Sequence, residues 1–241
     1  MLPNSPKPDA AEFDGYAVGG YRGGMEDPLK QAFGTDLDQF LRTKVRWLLD
    51  NAPAGGPTPG RLLDFGCGNG QFLQLLRKEG YRGELVGADV SAGMLQEARA
   101  RWQQPPSPTW TQFAPGHPLP FDDGRFDVAV ACCVFHHIPP AERDVAAREL
   151  RRLVRPGGRL YVFEHNPYNP VTQLIVCRAS IDRDAILLSA RRCRRILSDA
   201  GFEHARTAYL MFAPPKWRGA ARIDRRFCRL PVGGQYVVEA R

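Results

Sequence analysis

The 241-residue chain has no hydrophobic run long enough to cross a bilayer. Its longest, Val128 to Phe135, is far short of the roughly 20 residues that a spanning helix needs. Residues 1–25 contain no apolar segment of the secretory type, so a soluble, cytoplasmic protein with no membrane partner is expected. Cysteine spacing is equally unhelpful to a metal or disulfide framework. The six cysteines, Cys67, Cys132, Cys133, Cys177, Cys193 and Cys228, form no Cys-x-x-Cys pair, and the histidines do not stand at ligand spacing near them. Buried free thiols in a reducing compartment and no bound metal are the expectation. Cys132 and Cys133 are adjacent on a predicted strand and should project to opposite faces. Internal repeats and low-complexity blocks are absent as well.

What is present suits one α/β domain with elaborations: 43% hydrophobic residues and regularly alternating elements. The net charge of +7 is uneven, with +11 in residues 151–241 and −4 in residues 1–150. Arg191-Arg192, Arg194-Arg195 and Arg225-Arg226 attract an acidic partner or simply form a solvated face. No aromatic residues interleave with them as in a single-strand nucleic-acid binder, so the solvated face is preferred.

Residues 1–12 are polar and Pro-rich, and 36–50 read as an amphipathic helix with Leu41, Val45, Leu48 and Leu49 on one side. Residues 51–60 read as a Pro/Gly linker. Strands are expected at 61–64, 84–90, 109–114, 126–134, 159–164, 204–212 and 235–240. Helices are expected at 70–78, 91–102, 141–154 and 189–200, with 165–188 irregular. This order predicts a Rossmann-like, doubly wound α/β sheet of about seven strands. It should be mostly parallel with an antiparallel edge strand and helices on both faces. The domain division is 1–52 as an arm and cofactor-covering helix, and 53–241 as the main domain with a lid-like insertion at about 165–188.

Residues 62–70, Leu-Leu-Asp-Phe-Gly-Cys-Gly-Asn-Gly, carry the most information. An apolar strand ends at Asp64. Gly66, Cys67, Gly68, Asn69 and Gly70 then make a tight turn into a helix, the arrangement of a nucleotide-cofactor site. The third glycine of a dinucleotide fingerprint would fall at position 71, which is Gln71, and a nicotinamide enzyme is disfavoured. An acid two residues before the first glycine suits an α-amino group better than a pyrophosphate. Asp89 closes the second strand, with Val90 beside it, where a carboxylate can accept from both ribose hydroxyls.

This pattern resembles the class I S-adenosylmethionine-dependent methyltransferases over roughly residues 13–212. The resemblance implies S-adenosyl-L-methionine as cofactor and a seven-stranded sheet whose last strand is antiparallel. Asp64, the glycine turn, Asp89, Val90 and Met94 would hold the cofactor, and the strand end at Cys132 would line its methionine part. His137 takes either a structural or a cofactor-facing role. Where many relatives have an acid that binds the adenine amino group, this chain has Pro115. Backbone groups, His117 or another residue must then read adenine. The amino-terminal Phe13-Asp14-Gly15-Tyr16-Ala17 and Tyr21 resemble a segment that folds over the site. Tyr21 would reach the cofactor carboxylate or the substrate, and Tyr16 would border the substrate.

Catalytic candidates are His136 and His165, on loops after the fourth and fifth strands and with side chains of near-neutral ordinary pKa. The run Glu164-His165-Asn166-Pro167-Tyr168 resembles a bacterial subgroup that accompanies small-molecule and sugar-modifying pathways. It makes His165, Asn166 and Tyr168 substrate candidates together with His136. The expected activity is methyl transfer to oxygen or nitrogen of a small-molecule acceptor. RNA methylation through the basic carboxyl-terminal part, and a non-catalytic S-adenosylmethionine binder, are the alternatives. Oligomeric state is left open.

Overall fold

The computed structural model describes residues 37–51, 60–182 and 184–241. Tyr16 and Tyr21, the amino-terminal arm and most of the expected linker lie outside the described residues. In chain order the elements are α1 (Leu37–Asn51), β1 (Leu62–Phe65), α2 (Gln71–Lys78), β2 (Leu85–Asp89), α3 (Ala92–Arg101), β3 (Thr109–Gln112) and β4 (Phe126–Cys132). They continue as α4 (Arg143–Leu153), β5 (Val154–His165), α5 (Pro170–Arg178), a 3₁₀ turn (Ser180–Asp182), α6 (Ala190–Asp199), β6 (Ala205–Leu210), α7 (Ala220–Phe227) and β7 (Gln235–Ala240).

The seven strands form one sheet in the order β3-β2-β1-β4-β5-β7-β6. Strands β1 to β5 are parallel neighbours, and β7 runs antiparallel to both β5 and β6. The antiparallel end expected from the sequence is therefore present. Within it β7 inserts between β5 and β6, so β6 forms the rim. The chain moves outward from β1 to β3 and then returns to the other side of β1 at β4. That reversal leaves a crevice at the carboxyl ends of β1 and β4, where open α/β sheets bind ligands.

Side-chain alternation divides the core. Leu63, Ala129, Ala131, Leu160 and Val162 face one way and pack on α4 and α6 through Ala147, Leu150, Cys193 and Ile196. Leu62, Val128, Val130, Tyr161 and Phe163 face the other way and pack on α1 and α2 through Val45, Leu48, Phe72 and Leu76. A strand of period two between two helical layers buries both faces, which is why β4 reads as an unbroken apolar run. Local chemistry sets the helix ends. The Ser91 hydroxyl accepts from Met94 N at 3.0 Å, and the Asn169 side chain accepts from Thr172 N at 2.9 Å just before Pro170.

Some expectations need correction. Residues 165–188 are not irregular throughout, since they contain α5 and the 3₁₀ turn. Helix α7 lies in the β6–β7 connection. β5 starts earlier than expected, at Val154, because a register shift between Phe126 and Val128 absorbs the Arg155–Gly158 turn. Cys132 and Cys133 do not point apart. The strand ends at Cys132, Cys133 takes φ 59°, and both sulfurs turn toward Lys44 Nζ, at 3.4 and 3.0 Å. All six thiols are free, but Cys177 is exposed rather than buried. No helix among the described residues is long and apolar enough to cross a membrane.

Candidate functional site

A cavity of about 1050 Å³ opens at the carboxyl ends of β1, β2, β4 and β5. One end is built by the glycine turn. Gly66, Gly68 and Gly70 have φ of 72°, 51° and 74°, a region other residues seldom adopt. An added Cβ at Gly66 would lie 2.5 Å from Val134, whereas at Gly68 it would meet nothing within 4 Å. Gly66 is thus required for packing, and Gly68 presents bare backbone to the cavity. Cys67 and Gly70 complete the turn from behind, against Gly87 and Trp110 respectively, and do not line the cavity.

Two carboxylates stand at this end. Asp89 Oδ2 accepts from Gly68 N at 2.7 Å and Oδ1 from Ser91 N at 2.9 Å. It ties the turn to the second strand and lines the cavity with Val90 and Met94. Asp64 is 1% exposed, and neither of its oxygens has a hydrogen-bond partner among the described residues. Burial, and then the charge of Asp89, push its pKa up to about 8. A buried carboxylate with no donor is costly unless a cation meets it. The pair therefore fits a ligand that carries a positive charge beside hydroxyls. Phe113, Pro115, Gly116, His117 and Leu119 wall the next stretch. Pro115 and His117 thus both border the cavity.

The opposite end is polar. Glu164, 1% exposed, accepts from Phe135 N at 2.7 Å and from His136 Nδ1 at 2.5 Å. His136 Nε2 faces Asp182 Oδ1 at 3.4 Å, His137 Nε2 lies 3.5 Å from the same oxygen, and His165 Nε2 lies 3.9 Å from Asp182 Oδ2. Burial opposes protonation of His136, but Glu164 and Asp182 outweigh it and hold its pKa well above the usual histidine value. Burial and the neighbouring His136 lower His137 to about 3, so it is neutral. Burial works against ionisation of Asp182, yet the facing imidazoles keep its carboxyl below the ordinary range. Gln235 Nε2 lies 3.1 Å from His165 Nδ1.

Of the predicted site residues, the cavity wall unites Gly66, Gly68, Asp89, Val90, Met94, Cys132, His136, His137 and His165. Asp64 and Asn69 are buried behind it. Two substrate candidates, Asn166 and Tyr168, lie off the cavity wall. Tyr168 is 72% exposed and outside the cavity. Asn166 is a structural pin: its amide donates to Pro231 O and Gly233 O at 3.1 and 2.8 Å, and its oxygen accepts from Tyr168 N. Asp182 and Glu164 were missed as site residues. Glu164 sits at a strand end within a motif already noted, which was the available signal. Asp182 carries none, because only the chain's return through α5 brings it there.

Fold and site together give an α/β sheet whose strand ends hold one cavity, with a glycine turn and Asp89 at one end and a buried polar cluster at the other. Residues 63–162 match the family described as "Methyltransferase domain" (Methyltransf_11). Demethylmenaquinone methyltransferase of Thermus thermophilus is 34% identical over 136 residues, 56% of this chain and 58% of the relative. An uncharacterized 37.1 kDa protein in transposon TN4556 of Streptomyces fradiae is 34% identical over 186 residues, 72% of this chain and 51% of the relative. The chain thus spans little more than half the length of these relatives. Among solved structures, a putative methyltransferase of Haloferax volcanii, in complex with the Trm112 activator, has a TM-score of 0.65 at 22% identity. It covers 95% of this chain and 96% of its own. The [4+2]-cyclase SpnF has the same TM-score, 0.65, at 20% identity over 98% of this chain and 97% of its own.

If Asp89 holds the cofactor ribose, Asp89→Ala weakens S-adenosylmethionine binding by more than about tenfold, the value of a charge-assisted hydrogen bond. Calorimetry on the folded variant checks it; unchanged affinity removes Asp89 from the site.

Proposed function

We propose that this chain transfers a methyl group from S-adenosylmethionine to an oxygen or nitrogen of a small-molecule acceptor. One observation carries the reading. The cavity runs from the glycine turn to the polar cluster, and among the described residues nothing after Asp182 lines it. A volume of about 1050 Å³ is at the top of the ordinary range for small-molecule pockets, about 300–1,000 Å³, so a cofactor and a compact acceptor can share it.

Asp64 would neutralise the cofactor's α-ammonium, Asp89 would bind its ribose, and the Phe113–Leu119 stretch would enclose its adenine. The cofactor supplies an activated methyl on sulfur. The acceptor's lone pair forms the new bond to the methyl carbon while the carbon–sulfur electrons return to sulfur. Most of the protein's contribution is then orientation, for which about 7–11 kcal/mol is available. His136, His165 and Asp182 would receive the acceptor. His136 is held at Nδ1 by Glu164, and Glu164 and Asp182 hold its pKa above the ordinary histidine value, so it would position a substrate oxygen rather than act as a strong base. The basic clusters of α6 and α7 lie away from this cavity, which favours a small molecule over RNA.

The test uses methyl-labelled S-adenosylmethionine, the full chain and fractionated cell extract. Label in low-mass, nuclease-resistant material is the expected result. Label in nuclease-sensitive material overturns the acceptor class, and binding of the cofactor with no transfer to any fraction overturns the enzymatic reading.

A further inference from the structure

The polar end of the cavity has a chemistry that methyl transfer alone does not require. Three side chains from three separate segments converge there: His136 after β4, His165 at the end of β5 and Asp182 in the 3₁₀ turn. Their exposures are 2%, 6% and 4%, and one donor atom from each lies within 4.8 Å of the others. His136 Nε2, His165 Nε2 and Asp182 Oδ2 have no hydrogen-bond partner among the described residues. Buried polar atoms are almost always satisfied, so three together, aimed at one point, call for a common ligand.

We propose that His136, His165 and Asp182 bind a divalent first-row transition-metal ion, of the Zn²⁺ or Co²⁺ kind, beside the acceptor. Two imidazoles and one carboxylate form a borderline-soft donor set that leaves positions open for substrate. Two ligand atoms about 2.1 Å from a tetrahedral ion stand about 3.4 Å apart. His136 Nε2 and Asp182 Oδ1 are 3.4 Å apart, and a small side-chain rotation of His165 closes its 3.9 Å gap.

The surrounding shell agrees with the assignment. A metal-bound histidine ordinarily donates its other ring N–H to a carboxylate or carbonyl. Glu164 occupies that place for His136. For His165 the partner is Gln235, whose Oε1 is buried without a partner while Nε2 faces Nδ1. Turning the Gln235 amide by half a revolution lets its Oε1 accept from His165 Nδ1–H and leaves the lone pair of His165 Nε2 for the ion; the amide's orientation is interchangeable in this way. The second buried carboxylate, Glu164, also offsets the ion's charge.

The inference rests on the acceptor reading of this cavity and narrows it. A cation there selects an acceptor whose hydroxyl stands next to a second oxygen, such as a vicinal diol, a catechol or a hydroxycarbonyl. Coordination lowers the hydroxyl pKa, so its proton leaves to water and the oxygen becomes the nucleophile without an imidazole base.

The experiment uses the full chain, stripped with chelator and titrated with Co²⁺ by visible absorption, with Zn²⁺ uptake measured by equilibrium dialysis. The expected result is one equivalent of ion with a dissociation constant below ~10 µM and no thiolate charge-transfer band. His165→Ala and Asp182→Asn each weaken uptake by at least ~100-fold. Glu164→Gln, which keeps an acceptor for Phe135 N but offers an N–H to His136 Nδ1, weakens it by ~10–100-fold. Thermal melts and S-adenosylmethionine binding are read on the same samples to show that each variant is folded. No stoichiometric uptake by the wild type, uptake unchanged in His165→Ala and Asp182→Asn, or a thiolate band that places the ion on Cys132 or Cys133 overturns the site. Uptake as expected with no methyl transfer from S-adenosylmethionine supports the ion site and defeats the methyltransferase reading of the cavity instead.

Discussion

Asp64→Asn weakens S-adenosylmethionine binding by roughly 10- to 100-fold and, at the same time, stabilises the protein without cofactor. The first effect is the loss of a charge-assisted contact, about 1.5–3 kcal/mol. The second follows from linkage. Asp64 titrates at 3.8 when exposed and at about 8 in the fold, through burial and the charge of Asp89. Between those values the folded state holds a proton that the unfolded state has released, so stability falls as pH rises. The penalty grows by up to ~1.4 kcal/mol per pH unit from about pH 4 to about pH 8, and is constant beyond. Asn cannot ionise and avoids it. The two proteins should therefore melt together near pH 4 and diverge, with the variant higher, toward pH 8. Binding carries the same signature. Cofactor affinity for the wild type should rise between pH 6 and 8 by up to about tenfold per unit and then flatten, while Asp64→Asn shows no such rise. Calorimetric titrations across that range, with scanning melts of the free proteins, decide the matter. A variant that binds as tightly as the wild type removes Asp64 from the cofactor site.

Glu164→Ala should be among the most damaging single changes in the chain. Its carboxylate accepts from Phe135 N and His136 Nδ1, and its side chain is 1% exposed. Truncation leaves a backbone N–H and an imidazole without partners inside the sheet. The expected loss is ~3–5 kcal/mol, a large fraction of the ~5–15 kcal/mol that holds a typical domain. Glu164→Gln should cost much less, because its oxygen still accepts from Phe135 N. Urea unfolding of both variants checks the ordering. A Glu164→Ala midpoint close to that of the wild type would mean that the two donors find other partners and that the cluster is not anchored through Glu164.

How legible this was differs between the two ends of the cavity. The glycine-turn end is local in sequence. Asp64, the three glycines and Asp89 occupy strand ends and a turn, and each position is set by the backbone's own geometry, positive φ above all. The polar end is not local. His136 and His165 could be named because they follow parallel strands, whose carboxyl ends share one edge of the sheet. Their partner Asp182 could not, because it arrives through α5 and a 3₁₀ turn inside a stretch that has no clear periodicity: the hydrophobic residues of α5 are spread around the helix. Asn166 and Tyr168 lie off the cavity wall for a related reason. A polar strand-end loop can hold a substrate or another loop, and the β6–β7 connection that occupies it is 65 residues further along for the Asn166–Pro231 bond.

From its residues alone this chain determined an α/β sheet and a glycine turn with carboxylates on two adjoining strand ends. These depend on hydrophobic period and on φ values open chiefly to glycine, both properties of short segments. Only the tertiary structure decided that β7 inserts between β5 and β6, that Cys132 and Cys133 gather about Lys44, and that two histidines and an aspartate meet in one buried cluster. Those are contacts between residues tens of positions apart, and they form only once the packed layers bring distant strand ends to the same edge.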